Sequence, residues 1–193
     1  MRIRKHSLRL GTIAIFVAAL AGMATAADIA TLAATCAACH GADGHPATPD
    51  IPNIWGQNEG YIYFELRDMK SGDRKNELMA PIVATMSKGD MMALAAYFAA
   101  KPWPDLKQAN ATSADAAIGA SLDTSIGCSA CHGANYKGDS TVPRLASQSV
   151  TYLQAQMLAF RTGARANNPG MTSLMKAAKP DQLKAMARYL AGL

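Results

Sequence analysis

The sequence predicts an all-α protein built from two tandem domains related by internal duplication. Three observations predict it. The pattern C-x-x-C-H occurs twice, in "TCAACHGADG" and "GCSACHGANY", with Cys36 and Cys128 standing 92 residues apart. The offset persists beyond the motif. "IPNIWGQNEGYIYFELRDMKSGDR" aligns with "VPRLASQSVTYLQAQMLAFRTGAR" at 91, setting Pro52 on Pro143, Gln57 on Gln148, Tyr61 on Tyr152 and Arg74 on Arg165. It returns to 92 at Asn76 and Asn168, Met79 and Met171, Tyr97 and Tyr189. Finally, strand-like alternation is nearly absent, whereas apolar residues recur at helical spacing.

Residues 1–26 read as an export signal. Arg2, Arg4, Lys5 and Arg9 precede the apolar run "GTIAIFVAALAGMATA", and Ala24-Thr25-Ala26 supplies a small-x-small cleavage site. The run is short for a membrane span, and whether cleaved or kept as an anchor it places the folded part outside the cytoplasm. The first domain occupies 27–101, the second 115–193. Between them, residues 102–114 form a linker rich in Pro and polar residues, "PWPDLKQANATS" and its neighbours. Ala-rich helices are expected at 28–38 and 114–126, running into the Cys motifs. "GYIYFELRDMKSG" and "VTYLQAQMLAFRTG" are helices closed by Gly72 and Gly163. The last helix of each half starts at Ser87-Lys88-Gly89-Asp90, which resembles a capping box, and at Lys179-Pro180-Asp181. Segments such as "GADGHPATPDIPNIWGQ" are expected to be loops. A domain of this size with so much loop has a thin core and needs a staple.

Charge excludes one class of partner. The chain carries 19 Lys/Arg and 14 Asp/Glu, but four of the basic residues lie in the signal. The rest is nearly neutral, so nothing favours a nucleic acid. The balance is uneven along the chain. Residues 27–108 hold seven basic and ten acidic residues, and residues 109–193 hold eight and four.

All four cysteines belong to the two motifs. A thioredoxin-like dithiol needs a βαβ context, which is missing. A single structural zinc would have to join pairs in separate repeats. Simple disulfides would leave both histidines without a role. Attachment of a c-type haem uses every position. Cys36 and Cys39, and likewise Cys128 and Cys131, would form thioethers, with His40 and His132 beneath the irons. The sequence therefore predicts two covalent haem c groups, one stapling each domain.

The sixth ligand follows from the repeat. Apart from His6 in the signal and the two motif histidines, only His45 is left, and it cannot serve two irons. Met79 and Met171 are repeat-equivalent, each 18 residues before the Tyr of the last helix, whereas Met86 and Met175 are not equivalent. Met79 and Met171 are thus the expected ligands. His/Met ligation closes the iron, raises its potential and favours electron transfer over peroxide chemistry. Pro52 and Pro143 offer carbonyls to the histidine N–H groups. Asn76 and Asn168 are placed to donate to the Met sulfurs, and Arg74 and Arg165 to neutralise haem propionates. Trp55 has no aromatic counterpart and reads as local packing, and His45 as a loop residue.

The order C-x-x-C-H-G, P-x-[IL]-x-x-Q-x-x-x-Y, G-x-R, Asn-x-x-Met and a final helix "LAAYFA" or "MARYLA", twice in tandem, resembles the cytochrome c4 family. The resemblance covers essentially everything after the signal. It implies two class I cytochrome c domains in pseudo-twofold association. It also implies a periplasmic carrier, soluble or loosely membrane-associated, working between a donor such as cytochrome bc1 or a periplasmic dehydrogenase and a terminal oxidase. Related dihaem proteins are electron-accepting subunits of flavocytochrome sulfide dehydrogenases, which supplies the alternative role. One departure is Ser147, which stands where the first repeat has Gly56.

Overall fold

The computed structural model describes residues 26–193; the reading of the preceding segment as an export signal lies outside the described residues. Nine helices run through them: α1 (Ala26–His40), α2 (Glu59–Ser71), α3 (Ala80–Val83), α4 (Lys88–Ala99), α5 (Ser113–Ile126), α6 (Cys128–His132), α7 (Val150–Thr162), α8 (Pro169–Ala177) and α9 (Pro180–Ala191). No sheet forms among the described residues; one isolated bridge joins Asp139 and Val142. The helices fall into two sets of equivalent order, α1–α4 and α5–α9.

Each set has its own apolar core. Ile62, Leu66, Met69, Met91, Leu94 and Phe98 pack together in the first half, and Leu153, Met157, Phe160, Leu183, Met186 and Leu190 in the second. These six pairs match at an offset of 91 or 92. The repeat is thus a repeat of packing positions as well as of motifs. Two cores with residues 102–112 running without helix between them make a two-domain, all-α protein.

The helix ends follow local chemistry. Ser87 and Asp90 form a true capping box: Asp90 N donates to Ser87 Oγ at 3.1 Å and Ser87 N to Asp90 Oδ2 at 2.7 Å. The α2 and α7 helices end at Gly72 and Gly163, both left-handed. Three short helices, α3, α6 and α8, lie where the sequence reading expected loops or helix ends. Proline sets the difference between α3 and α8. Proline is tolerated only in a first turn. Pro169 opens α8 just after Asn168, whereas Pro81 delays α3 until after Met79, leaving only four residues. The Cys motif also differs between halves. Helix α1 runs unbroken through His40, but at Gly127, where the first half has Thr35, the chain turns left-handed (φ 73°) and separates α5 from α6.

Two substitutions between repeats compensate one another. Trp55 meets Ala146 at the offset of 91, and Gly44 meets Tyr136 at 92. A Cβ on Gly44 would lie 2.9 Å from the Trp55 ring, while Tyr136 is 3% exposed in the second half. One large aromatic fills the same space from opposite sides, which is the local packing role expected for Trp55.

The Gly56/Ser147 departure leaves the backbone unchanged. Ser147 adopts the same left-handed conformation as Gly56, φ 62° against 65°. Their N–H groups make equivalent bonds to Phe98 O and Leu190 O, both 2.9 Å. What differs is the neighbour. A Cβ on Gly56 would lie 2.9 Å from Trp103 N and 3.0 Å from Lys101 O, whereas Ser147 Oγ donates to Leu193 O at 2.5 Å. Gly56→Ser should therefore lower unfolding free energy by about 2 kcal/mol, from left-handed strain and the clash with the linker backbone. Ser147→Gly should be nearly neutral, because relieved strain offsets a lost hydrogen bond of about 1 kcal/mol. Thermal unfolding of the two variants checks the asymmetry.

Candidate functional site

Each half places a buried histidine against a loop carbonyl. His40, 8% exposed, closes α1, and its Nδ1 lies 2.8 Å from Pro52 O. His132, 6% exposed, closes α6, with Nδ1 3.0 Å from Pro143 O. A carbonyl can only accept, so Nδ1 carries the hydrogen in both rings and the Nε2 lone pair is left for another partner. Burial lowers both histidine pKa values, although the carbonyl contact opposes it, so both rings are neutral at neutral pH. A neutral imidazole with a fixed Nδ1–H is the form that ligates a metal through Nε2.

A cavity opens beside each histidine. The first, about 280 Å³, is lined by Cys36, Cys39, His40, Asn76 and Met79. The second, about 380 Å³, is lined by His132, Asn168 and Met171. Met79 and Met171 are partly buried against the cores, whereas Met86 and Met175 are core residues, 8% and 4% exposed, and line neither cavity. Met69 and Met157 also reach the cavities, but their repeat partners are Phe160 and Leu66, so they supply no ligand common to both halves.

Cys36 and Cys128 are half-buried, and Cys39 and Cys131 are exposed. Cys36 and Cys39 stand on the cavity wall, whereas Cys128 packs against the second core and the wall of the second cavity does not include it or Cys131. Burial raises the Cys36 pKa, and burial together with the Asp123 carboxylate pushes Cys128 up to about 11, so both stay protonated. In the first half a cysteine pair, a neutral imidazole and a thioether on the wall of a largely apolar cavity fit a c-type haem in donor set and polarity, and the second cavity repeats the imidazole and the thioether.

Comparisons with known proteins identify the family. The cytochrome c family model matches residues 26–102 and again 116–193. A cytochrome c4 of Thiocapsa roseopersicina is 36% identical over 155 residues, covering 74% of this chain and 78% of that protein. The chain belongs to the cytochrome c4 family. A thiosulfate dehydrogenase electron acceptor of Stutzerimonas stutzeri is 37% identical over 152 residues, covering 74% of this chain and 70% of that protein. The crystal structure of reduced cytochrome c4 from Pseudomonas stutzeri superposes with a TM-score of 0.77 at 28% identity, covering 88% of this chain and 98% of that one. Membership makes this cytochrome an electron-transfer protein and implies covalently bound haem c.

The remaining expected site residues lie around these cavities in two ways. Asn76 Oδ1 accepts from Met79 N at 3.0 Å, and Asn168 Oδ1 from Met171 N at 3.0 Å. Both therefore cap the turn carrying the methionine, and any donation to sulfur falls to the amide nitrogen. Arg74 and Arg165, 7% and 6% exposed, meet at the domain interface. Arg74 Nη1 donates to Glu65 Oε2 at 2.7 Å, and Arg165 Nη2 donates to Glu65 Oε1. Both also donate to Gln156 Oε1, at 3.1 and 2.8 Å. Glu65 and Gln156 were not singled out from the sequence, although the offset of 91 pairs them with each other. Only knowledge that the Gly-x-Arg segments face each other could have picked them out. Tyr61 lies beside this cluster, and burial raises its pKa, so its hydroxyl stays protonated. His45 sits on an exposed loop, its Nε2 3.2 Å from Asp105 O.

The capping reading has a direct check. Asn168→Ala should cost about 1 kcal/mol of stability, whereas Asn168→Asp, which keeps the acceptor oxygen, should cost little. Thermal unfolding of the two variants separates capping from donation to sulfur, because aspartate at neutral pH has no hydrogen to donate.

Proposed function

We propose that this cytochrome carries two covalent haem c groups, one per domain, and passes single electrons in the periplasm between a respiratory donor and a terminal oxidase. In this reading Cys36 and Cys39 hold the first haem and Cys128 and Cys131 the second. His40 and Met79 ligate one iron, His132 and Met171 the other. The observation that carries it is the duplicated pairing of a buried neutral histidine, fixed through Nδ1, with a capped methionine on the wall of the same cavity. Bound haem supplies the one-electron chemistry. The chain's residues orient the ligands, exclude water and place the two sites at one interface. Two guanidiniums sharing the single carboxylate of Glu65 leave one positive charge unbalanced, which suits a haem propionate. The N-terminal export pattern supports the periplasm. The protein itself transforms no organic substrate.

A second reading makes the chain the electron-accepting subunit of a periplasmic oxidoreductase. The thiosulfate dehydrogenase electron acceptor at 37% identity favours it. Purification of the native protein at fixed stoichiometry with a dehydrogenase would support this role, and purification alone the diffusing carrier.

Haem content should be two per chain by pyridine haemochrome assay, and the haem should resist acid–acetone extraction. Haem passing into the organic layer would overturn the assignment. The oxidised protein should show the weak near-infrared band of sulfur-to-iron charge transfer. Met79→His should lower one midpoint potential and leave the other nearly unchanged, because a thioether favours ferrous iron more than imidazole does. If Met86→Ala weakens the band and Met79→Ala does not, the ligand assignment is wrong.

A further inference from the structure

The carbonyl that fixes each histidine belongs to a peptide unit held from the opposite domain. Pro52 O and Asn53 N lie on one amide group. Pro52 O faces His40 Nδ1 at 2.8 Å, while Asn53 N donates to Gln148 Oε1 at 3.0 Å. Gln148 belongs to the second half. The second half repeats the arrangement in reverse. Pro143 O faces His132 Nδ1 at 3.0 Å, and Arg144 N donates to Gln57 Oε1 of the first half at 2.8 Å. Each glutamine also returns a bond from Nε2: Gln148 to Asn53 O at 2.8 Å and Gln57 to Arg144 O at 2.9 Å. Each Oε1 is steadied by the next residue's N–H, Ser149 or Asn58, both at 2.8 Å. The glutamines are 2% and 5% exposed, so water does not compete for these bonds.

We propose that Gln148 and Gln57 are positioning residues acting crosswise: Gln148 sets the ligand strength of His40, and Gln57 that of His132. The inference rests on the haem reading given above. An amide whose N–H is hydrogen-bonded carries more negative charge on its oxygen and accepts more strongly. A stronger acceptor at Nδ1–H makes the imidazole a better electron donor at Nε2, which favours ferric iron. Each domain thereby holds down the potential of the other domain's site, and undocking the domains releases both.

The test uses the full holoprotein with Gln148→Leu, Gln57→Leu, Gln148→Glu and Gln57→Glu. Covalent haem is counted first. Fewer than two haems per chain overturns the functional reading, and is visible before any potential is measured. With two haems present, ¹⁵N-histidine NMR of the reduced protein reads each Nδ1–H, and the loss of each resonance on oxidation assigns each redox step to a half. Gln148→Leu should move the His40 Nδ1–H signal upfield and raise the reduced-to-oxidised ratio of the first site by roughly two- to tenfold at fixed potential, leaving His132 unchanged. Gln57→Leu should do the converse. The Glu variants, whose carboxyl must be protonated to replace the Nε2–H donated to Asn53 O or Arg144 O, keep both bonds with a weaker acceptor than the amide and should move the same crosswise site in the same direction by less. They carry the test should the Leu variants fail to fold. Equal shifts in both halves, a shift confined to the mutated half, or none at all overturns the proposal.

Discussion

One peptide unit in each half, Pro52–Asn53 and Pro143–Arg144, is grasped on both edges, and the rest of the arrangement depends on it. A proline carbonyl lacks any competing N–H of its own residue, so the loop presents an acceptor without a donor. That acceptor fixes the histidine tautomer. The N–H of the same amide lies in a buried interface, where an unpaired donor costs about 1–3 kcal/mol. The opposite domain's glutamine meets that need, and it can do so only if the domains dock in one register. Histidine orientation and domain docking are therefore one structural problem with one solution, used twice.

Around this symmetric clamp the two halves differ in charge. Arg74 and Arg165 are equivalent, and both converge on Glu65, whose own equivalent is the neutral Gln156. A second glutamate there would set two carboxylates against each other across a pseudo-twofold axis. One Glu and one Gln halve the negative charge, and Gln156 Oε1 still accepts from both arginines. Buried guanidiniums are tolerated because each has several acceptors in fixed geometry, and removal of Glu65 would leave them exposed to the full desolvation cost. Asp68 extends the asymmetry: 5% exposed and without an acidic counterpart in the second half, it accepts from Arg67 and from Asn167 across the interface.

The duplication, the helices that bear the motifs and the histidine and methionine that line each cavity were legible in the sequence, because each is written in local spacing. Cys-x-x-Cys-His needs one helical turn, Ser87 and Asp90 need three residues of separation, and the cores follow the helical period. The short helices α3, α6 and α8 were less legible. Their limits depend on one proline or glycine whose effect differs between repeats, as Pro81 against Pro169 and Gly127 against Thr35 show. Asn76 and Asn168 were recognised by position, yet their capping bonds required backbone N–H directions that sequence does not carry.

By itself, the sequence determined two equivalent domains with a Cys-x-x-Cys-His motif in each, and it singled out Met79 and Met171 as the expected ligands, since a duplicated ligand must obey the duplicated offset. The tertiary structure alone decided which surfaces meet. Gln57 and Gln148 read as conserved repeat positions of unknown use, and Arg74 and Arg165 as residues beside a haem. Their partners across the interface lie between 78 and 104 positions away in the chain. Contacts at that separation are set by how two folded surfaces fit, and local periodicity holds no record of that fit.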